Sequence, residues 1–202
     1  ANILTSGSTY TLLTGAQVNC SGNIFKNVYR GINASNFYTP AFMAQGNTCT
    51  LTLDPGGNLQ QGIAITTCSN ASVQVNSILG PSTSNTITTG IYAADNNAPK
   101  ITCNTVQATY QRFEFAGSQP GTKWKGNSMT THTLGFALTY TGVIGAQGSA
   151  SNPIDNKWNG TWTGSIYNTW TKSGTTASLS VLFTQSVSPY VPTNNDGVPT
   201  ND

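Results

Sequence analysis

Few residues in this chain could carry out acid–base chemistry. Its 202 residues contain six acidic side chains and one histidine, His132. Cleavage of a glycosidic bond by paired carboxyl groups needs two of them roughly 5 to 10 Å apart. Glu114 lies on a predicted strand and faces outward, so Glu114, Asp95 and Arg112 could form a catalytic face. The alternative is that Asp95 lies in an isolated turn and that Arg112 is a surface residue, which could pair with Glu114.

The cysteines do not have the spacing of a metal or redox site. Cys20, Cys49, Cys68 and Cys103 are separated by 29, 19 and 35 residues, and none of these spacings gives the C-x-x-C pattern of zinc or thioredoxin-type sites. The cysteines are predicted to be structural, either bridged in a disulfide pairing that the sequence leaves open or buried in a stack. No metal site and no cofactor is predicted, and His132 is predicted to be exposed to solvent.

Aromatic side chains interleave with polar residues in the second half of the chain. Exposed aromatic rings beside Asn and Gln amides commonly hold sugars, which makes Trp124, Tyr140 and Tyr110 candidate ligand-binding residues. The alternative is that Trp124 fills volume in the core.

The composition excludes several classes of protein. Only 7% of the residues are charged, whereas the chain holds 32 Thr, 22 Asn, 19 Ser and 21 Gly. Nucleic-acid binding is not expected, because phosphate contacts need a higher density of Lys and Arg. No run of 18 apolar residues exists, so no membrane-spanning segment is predicted. The absence of a sustained apolar period of 3.6 residues predicts an all-β protein.

An asparagine-led repeat organises the chain. Each copy begins with Asn, a variable residue and then an apolar one, and the copies begin at Asn23, Asn47, Asn76, Asn104, Asn127 and Asn156. A second pattern, Gly or Arg followed by an apolar residue, comes eight residues after the Asn in three copies, at Gly31-Ile32, Arg112-Phe113 and Gly135-Phe136. In two other copies it comes after a longer segment, at Gly62-Ile63 and Gly90-Ile91. Asn tolerates left-handed backbone at corners, and stacked corner asparagines could form side-chain ladders.

A period of 20 to 30 residues without helices predicts a parallel β-helix of about six coils, with alternate apolar residues pointing inward. Residues 1–165 are assigned to this solenoid. Residues 166–188 are predicted to be capping strands that cover its open end, and residues 189–202 an extended linker. The alternative fold is a β-sandwich, which explains the apolar alternation but not the asparagine register.

The end of the array resembles a segment of large secreted proteins. Val143-Ile144-Gly145-Ala146-Gln147-Gly148 and Asn156-Lys157-Trp158-Asn159-Gly160-Thr161-Trp162 are similar to the I-G-x-Q and N-x-W-x-G steps that close right-handed β-helices in gliding and related Bacteroidetes. The resemblance covers about Val18 to Trp162. It implies a right-handed helix within a multi-domain chain that is exported by a type IX pathway. Because the C-terminal signal domain of such proteins is absent, the chain is expected to be a fragment or a processed region.

The predicted function is that of a non-catalytic extracellular β-helix segment of a bacterial surface or secreted protein, acting in adhesion or as a structural spacer, with scope for glycan binding. The main argument against an enzyme is the shortage of carboxylates. The alternative is a carbohydrate-active enzyme, a polysaccharide lyase or hydrolase, that uses the Asp95, Arg112 and Glu114 face. The expected partners are glycans or components of the cell-surface and secretion machinery, and the expected location is extracellular or at the cell surface.

Overall fold

The computed structural model describes residues 18–38, 41–82, 87–131, 133–159, 167–171, 179–192, 195–196 and 200–201. These residues form strands and no α-helix. In chain order the strands are β1 (Val18–Ser21), β2 (Ile24–Val28), β3 (Arg30–Ser35), β4 (Phe42–Gln45), β5 (Thr48–Leu51), β6 (Gln60–Thr66), β7 (Ser72–Gln74), β8 (Ser77–Leu79), β9 (Thr88–Ala94), β10 (Lys100–Thr102), β11 (Thr105–Gln107), β12 (Gln111–Ser118), β13 (Lys123–Lys125), β14 (Ser128–Thr130), β15 (Leu134–Val143), β16 (Ala146–Gln147), β17 (Lys157–Asn159), β18 (Tyr167–Thr171), β19 (Val181–Phe183), β20 (Asn195–Asp196) and β21 (Thr200–Asn201).

The strands stack into three long parallel sheets, which confirms the predicted right-handed parallel β-helix. Sheet A has the order β1-β4-β7-β10-β13, sheet B the order β2-β5-β8-β11-β14-β17, and sheet C the order β3-β6-β9-β12-β15-β18-β20. A short sheet D consists of β16, β19 and β21. Each of the first five coils contributes one strand to each long sheet, so every strand pairs with its equivalent in the next coil. A sandwich would instead pair its strands mainly antiparallel.

The core lies inside the coils, where apolar side chains stack in columns. In sheet C the in-register column is Ile32, Ile63, Ile91, Phe113 and Phe136, and all five side chains are buried. These residues are the apolar members of the Gly/Arg-apolar pattern, so the sequence predicted their alignment correctly. Full burial of each such side chain contributes about 1.5 to 3 kcal/mol.

The six repeat-leading asparagines form one continuous ladder at the corner between sheets A and B. At every step the backbone N–H and the Nδ2 of one Asn both donate to the Oδ1 of the Asn in the next coil, at 2.7 to 3.0 Å. From Asn47 onward, each Nδ2 also donates to a backbone carbonyl of the preceding coil. The predicted side-chain ladder is therefore confirmed.

Glycine is needed where sheet B turns into sheet C, because the chain there passes close to its neighbours. A Cβ at Gly62 would lie 2.6 Å from Ile78 Cγ2, and one at Gly90 would lie 2.2 Å from Val106 Cγ1. Neither distance is compatible with van der Waals radii. The absence of a side chain at these positions therefore lets successive coils pack closely at this corner.

Strand pairing continues beyond residue 165. β18 pairs with β15 in sheet C, and β19 pairs with β16 in sheet D. β20 and β21 then pair with β18 and β19. The division into solenoid, capping strands and linker stays a prediction, while the described strands of both C-terminal segments extend sheets C and D.

Candidate functional site

The outer face of sheet C carries a cleft of about 330 Å³. Strands β6, β9, β12 and β15 form its floor. Its lining residues are Leu59, Gln61, Tyr92, Gln111, Glu114, Thr139 and Tyr140. Leu59 comes from the loop that precedes β6, and Tyr140 comes from the far part of β15. The cleft therefore combines one carboxylate, two phenols, two amides and one hydroxyl group.

Glu114 is the only charged residue of the cleft lining. Its neighbours in sequence, Phe113 and Phe115, both point into the core, so Glu114 faces outward, as the alternation predicted. The side chain is nevertheless only 8% exposed. Thr139 Oγ1 donates to Glu114 Oε1 at 2.9 Å, and Thr89 Oγ1 lies 3.2 Å from Glu114 Oε2. The Thr139 hydroxyl thus fixes the carboxylate as an acceptor in the cleft, whereas Thr89 shares its single hydroxyl proton between Glu114 and Gln111 Oε1, which lies 3.0 Å away.

Two tyrosines flank this carboxylate. Tyr92 is in register with Glu114 on the neighbouring strand, and burial, together with the negative charges of Glu114 and Asp95, raises the pKa of Tyr92. The Tyr92 hydroxyl therefore stays a hydrogen-bond donor at neutral pH. Tyr140 has a left-handed backbone with φ 48° and is 66% exposed. A ring of this kind, beside the amides of Gln61 and Gln111, offers an apolar face and polar groups together.

Asp95 does not line the cleft. It lies at the corner after β9, is exposed and has φ 50°. Its side chain extends over Gly117, where an added Cβ would lie 1.9 Å from Asp95 Oδ1. It follows Tyr92 by three residues along the chain. Asp95 is not among the residues that line the cleft of Glu114.

The prediction that Arg112 is a surface residue that pairs with Glu114 is wrong. Its side chain is fully buried, and it occupies the corner position that Gly90 holds one coil earlier. Nη1 donates to Thr109 Oγ1 at 2.7 Å and Nη2 to the Thr130 carbonyl at 2.9 Å. Burial lowers the pKa of Arg112 to about 9. The alternation failed here because the regular pairing of β12 is interrupted at residue 112, next to the corner, so the guanidinium is directed away from the cleft and could not clamp a ligand there.

Trp124 is a core residue, in agreement with the alternative interpretation. It is 1% exposed, and its ring centroid lies 4.6 Å from that of Phe136 and 6.0 Å from that of Trp158. It therefore offers no surface to a ligand. Tyr110 is half-buried at the corner before β12, where its backbone N–H donates to Thr88 Oγ1 at 2.8 Å. Of the three candidate aromatic residues, the structure brings only Tyr140 to the cleft.

All four cysteines are free thiols in the structure, which differs from the bridged form of the prediction. Cys49 and Cys68 are buried in the coils, and Cys103 is exposed at a corner. Burial raises the pKa of Cys49 to about 11 and also raises that of Cys68 and Cys20. A raised pKa disfavours the reactive thiolate. His132 lies outside the described residues.

A second, open cleft of about 580 Å³ shares Leu59 with the first. Arg30 and Asp54 are among its lining residues. Hydrogen bonds from the Asn58 side chain and from the Gly56 backbone lower the pKa of Asp54, which keeps its carboxylate ionised. The two clefts together follow the outer surface from the first coil to the fifth.

Sequence reasoning missed much of the cleft lining, including Thr139 and the two glutamines, and it missed Thr89, which contacts Glu114. One signal was present in the sequence. Tyr92 follows Gly90 by two residues, just as Glu114 follows Arg112 by two, so an alignment of the corner positions places them side by side. The contribution of Leu59 had no comparable signal, because it comes from a loop of irregular length.

Among the described residues, no group of three His, Cys, Asp or Glu side chains is placed to hold a metal ion. The described part of the chain also contains no helix of the length and apolarity needed to cross a membrane. Comparison of the chain with protein families, curated proteins and solved structures gives no match.

Proposed function

We propose that the chain is a non-catalytic extracellular β-helix segment of a secreted or cell-surface bacterial protein, which serves adhesion or spacing and contacts glycans through the sheet C cleft. The observation that supports it is the fixed Glu114 carboxylate between Tyr92 and Tyr140. Sugars have apolar faces and many hydroxyl donors. A ring such as Tyr140 contacts the faces, and an oriented carboxylate accepts from the hydroxyls.

The surroundings of Glu114 support binding more than turnover. Cleavage by paired carboxyl groups requires the second group within roughly 10 Å of the first and on the same cleft. Asp95 lies at the sheet corner, outside the cleft lining, and Arg112 is bonded to Thr109 and Thr130 in the interior. A carbohydrate-active enzyme is the second candidate. Its support is the proximity of the fixed Glu114 carboxylate to the Tyr92 phenol, since a phenol can act as a proton donor.

The expected partner is a glycan on a cell surface or in the surrounding matrix. Export by a type IX pathway is part of this proposal and depends on the similarity of residues 143–162 to the closing steps of secreted β-helices. A role as a carried component of the secretion machinery would make the chain co-purify with that machinery from native membranes.

The first test is glycan binding by cleft variants. Tyr140→Ala should weaken binding about tenfold, since an aromatic contact contributes about 0.5 to 1.5 kcal/mol beyond its buried area. Glu114→Gln keeps the shape of the side chain but removes the charge-assisted hydrogen bonds and should also weaken binding. A glycan array identifies the ligand, and titration calorimetry with that glycan gives the affinities.

Tyr38→Ala is the matched control, because Tyr38 is also exposed, at 59%, and lies outside both clefts. It should leave affinity unchanged. Equal affinities for the wild type and both cleft variants would remove the cleft from the proposal. Depolymerisation of the bound glycan that is abolished by Glu114→Gln would favour the enzyme instead.

A further inference from the structure

The outer face of sheet A carries three lysines on two adjacent strands. Lys100 on β10 is in register with Lys123 on β13, and Lys125 lies two residues further along β13. Ile101 follows Lys100 and Trp124 follows Lys123, and both of these side chains are buried in the core. Because successive residues of a strand point to opposite faces, the lysines point outward. Lys100 and Lys123 are exposed.

The arrangement of these lysines is unfavourable for the protein alone. Like charges directly opposite each other on neighbouring strands destabilise a sheet. Lys125 is compensated, since its Nζ lies 3.4 Å from Asp155 Oδ2 and donates to Asn152 Oδ1 at 2.7 Å. The ion pairs within the described residues include none for Lys100 or Lys123. Ser72 occupies the same column one coil earlier, so an uncharged residue fits this position.

We infer that this sheet A face is a second binding site, specific for the anionic groups of an acidic polysaccharide. Neighbouring strands are about 4.8 Å apart, and alternate residues of a strand are about 6.7 Å apart. Two flexible ammonium groups at this spacing can donate to one sulfate, phosphate or carboxylate group. In the free protein the two ammonium groups repel each other, whereas in the complex both are attracted to the anionic group.

The chemistry of the face favours a polysaccharide over other polyanions. The neighbouring outward residues Ser72, Gln74 and Thr102 are polar, and a lipid surface would require apolar side chains to insert. Double-stranded DNA binders commonly neutralise about 6 to 10 phosphates, which exceeds what three lysines can supply. The site also lies on a different sheet from the Glu114 cleft. It therefore does not depend on the proposed glycan contact there.

The experiment compares binding to immobilised dextran sulfate and to uncharged dextran at several NaCl concentrations. The variant Lys100→Ala/Lys123→Ala should lose at least tenfold in affinity for dextran sulfate. The slope of log K against log salt should fall by about two, one for each lysine removed. The control variant Lys26→Ala/Lys157→Ala removes the same charge from sheet B and should change affinity less than twofold.

Three results would overturn the inference. These are equal losses for the two double variants, equal binding to uncharged dextran, and equally tight binding to DNA or to anionic vesicles at matched charge. Because both lysines are exposed, the variants should fold, and circular dichroism checks this. Lys100→Gln/Lys123→Gln provides a second variant in which the side chains stay polar but lose their charge.

Discussion

Asn104 shows how a polar side chain stabilises the interior of this solenoid. Its Oδ1 accepts from both the backbone N–H and the Nδ2 of Asn76, and its own Nδ2 donates to Asn127 Oδ1 and to the Val73 carbonyl. The residue is fully buried. A buried amide whose hydrogen bonds are all formed adds stability and specifies one arrangement, whereas a buried amide without hydrogen-bond partners destabilises the folded state. The ladder therefore fixes the register of the coils.

Asn104→Ala should be strongly destabilising. It leaves the buried N–H of Asn76 and the carbonyl of Val73 without their side-chain partner, at about 1 to 3 kcal/mol for each group. The measurement is urea unfolding followed by tryptophan fluorescence. Asn19→Ala, at an exposed position of β1, is the control and should stay within about 0.5 kcal/mol of wild type. Equal stability of the two variants would contradict a structural role for the ladder.

At this scale the sequence predicted side-chain direction within strands but not at corners. Alternation placed Glu114 outward and Phe113 inward, because successive residues of a strand point to opposite faces. It could not place Arg112, since the regular pairing of β12 is interrupted at this residue, next to the corner. It also could not decide whether Trp124 was exposed or buried, because an aromatic ring between polar residues fits either position. The burial of Glu114 depends on contacts with Thr89 and Thr139 from other coils, which a single strand does not contain.

At the scale of elements, the corner between sheets B and C constrains the chain most tightly. Gly31, Gly62 and Gly90 each approach a side chain of sheet B and a backbone oxygen of the next coil within 2.7 Å of an added Cβ. Arg112 departs from this column in the fourth coil. The sequence pattern contained this exception, and the structure shows that the long side chain continues toward Thr130 of the next coil.

Gly90→Ala should destabilise the protein by roughly 1 to 3 kcal/mol, because the new methyl group overlaps Val106 Cγ1 and the Arg112 carbonyl oxygen. Gly46→Ala is the comparison, since nothing lies within 4 Å of a Cβ there and only its φ of +64° is unfavourable. Thermal unfolding by circular dichroism should rank Gly90→Ala as the less stable of the two. The reverse order would indicate that the corner can relax at little cost.

The lengths of the connecting segments limited the prediction of elements. The Asn-led starts of all six sheet B strands were predicted, since a fixed corner precedes each of them. The irregular end of β12 against β15, where the register shifts between Ala116 and Ser118, had no sequence signal. The sequence named Tyr140 as a candidate because of its aromatic ring among polar residues, but it could not locate the neighbours of Tyr140 in the cleft.

For the whole molecule, packing is uneven along the solenoid axis. Phe113, Phe115, Trp124 and Phe136 contact one another in the fourth and fifth coils. In the first coil, by contrast, the inward residues Val18, Phe25 and Val28 are only partly buried. Repeat proteins derive their stability from each repeat and from the interfaces between neighbours, so local opening follows local packing.

Hydrogen exchange should therefore be slowest in β10 to β15 and faster in β1 to β3. The expected difference follows from the aromatic cluster in the first group and the half-buried side chains in the second. Exchange followed by mass spectrometry on peptides that cover each coil gives the comparison. Uniform protection along the axis would instead indicate that the coils open as a single cooperative unit.

The direction of the asparagine ladder has a mechanical consequence. Its hydrogen bonds, like those of the three long sheets, join one coil to the next and so run along the solenoid axis. A pulling force applied between the two ends of the solenoid stretches these bonds directly, and it separates coils one after another instead of shearing strands together. Since successive coils are 23 to 29 residues long, each released coil lengthens the chain by roughly 80 to 100 Å. Under tension, such a segment would extend in steps and keep its remaining coils folded.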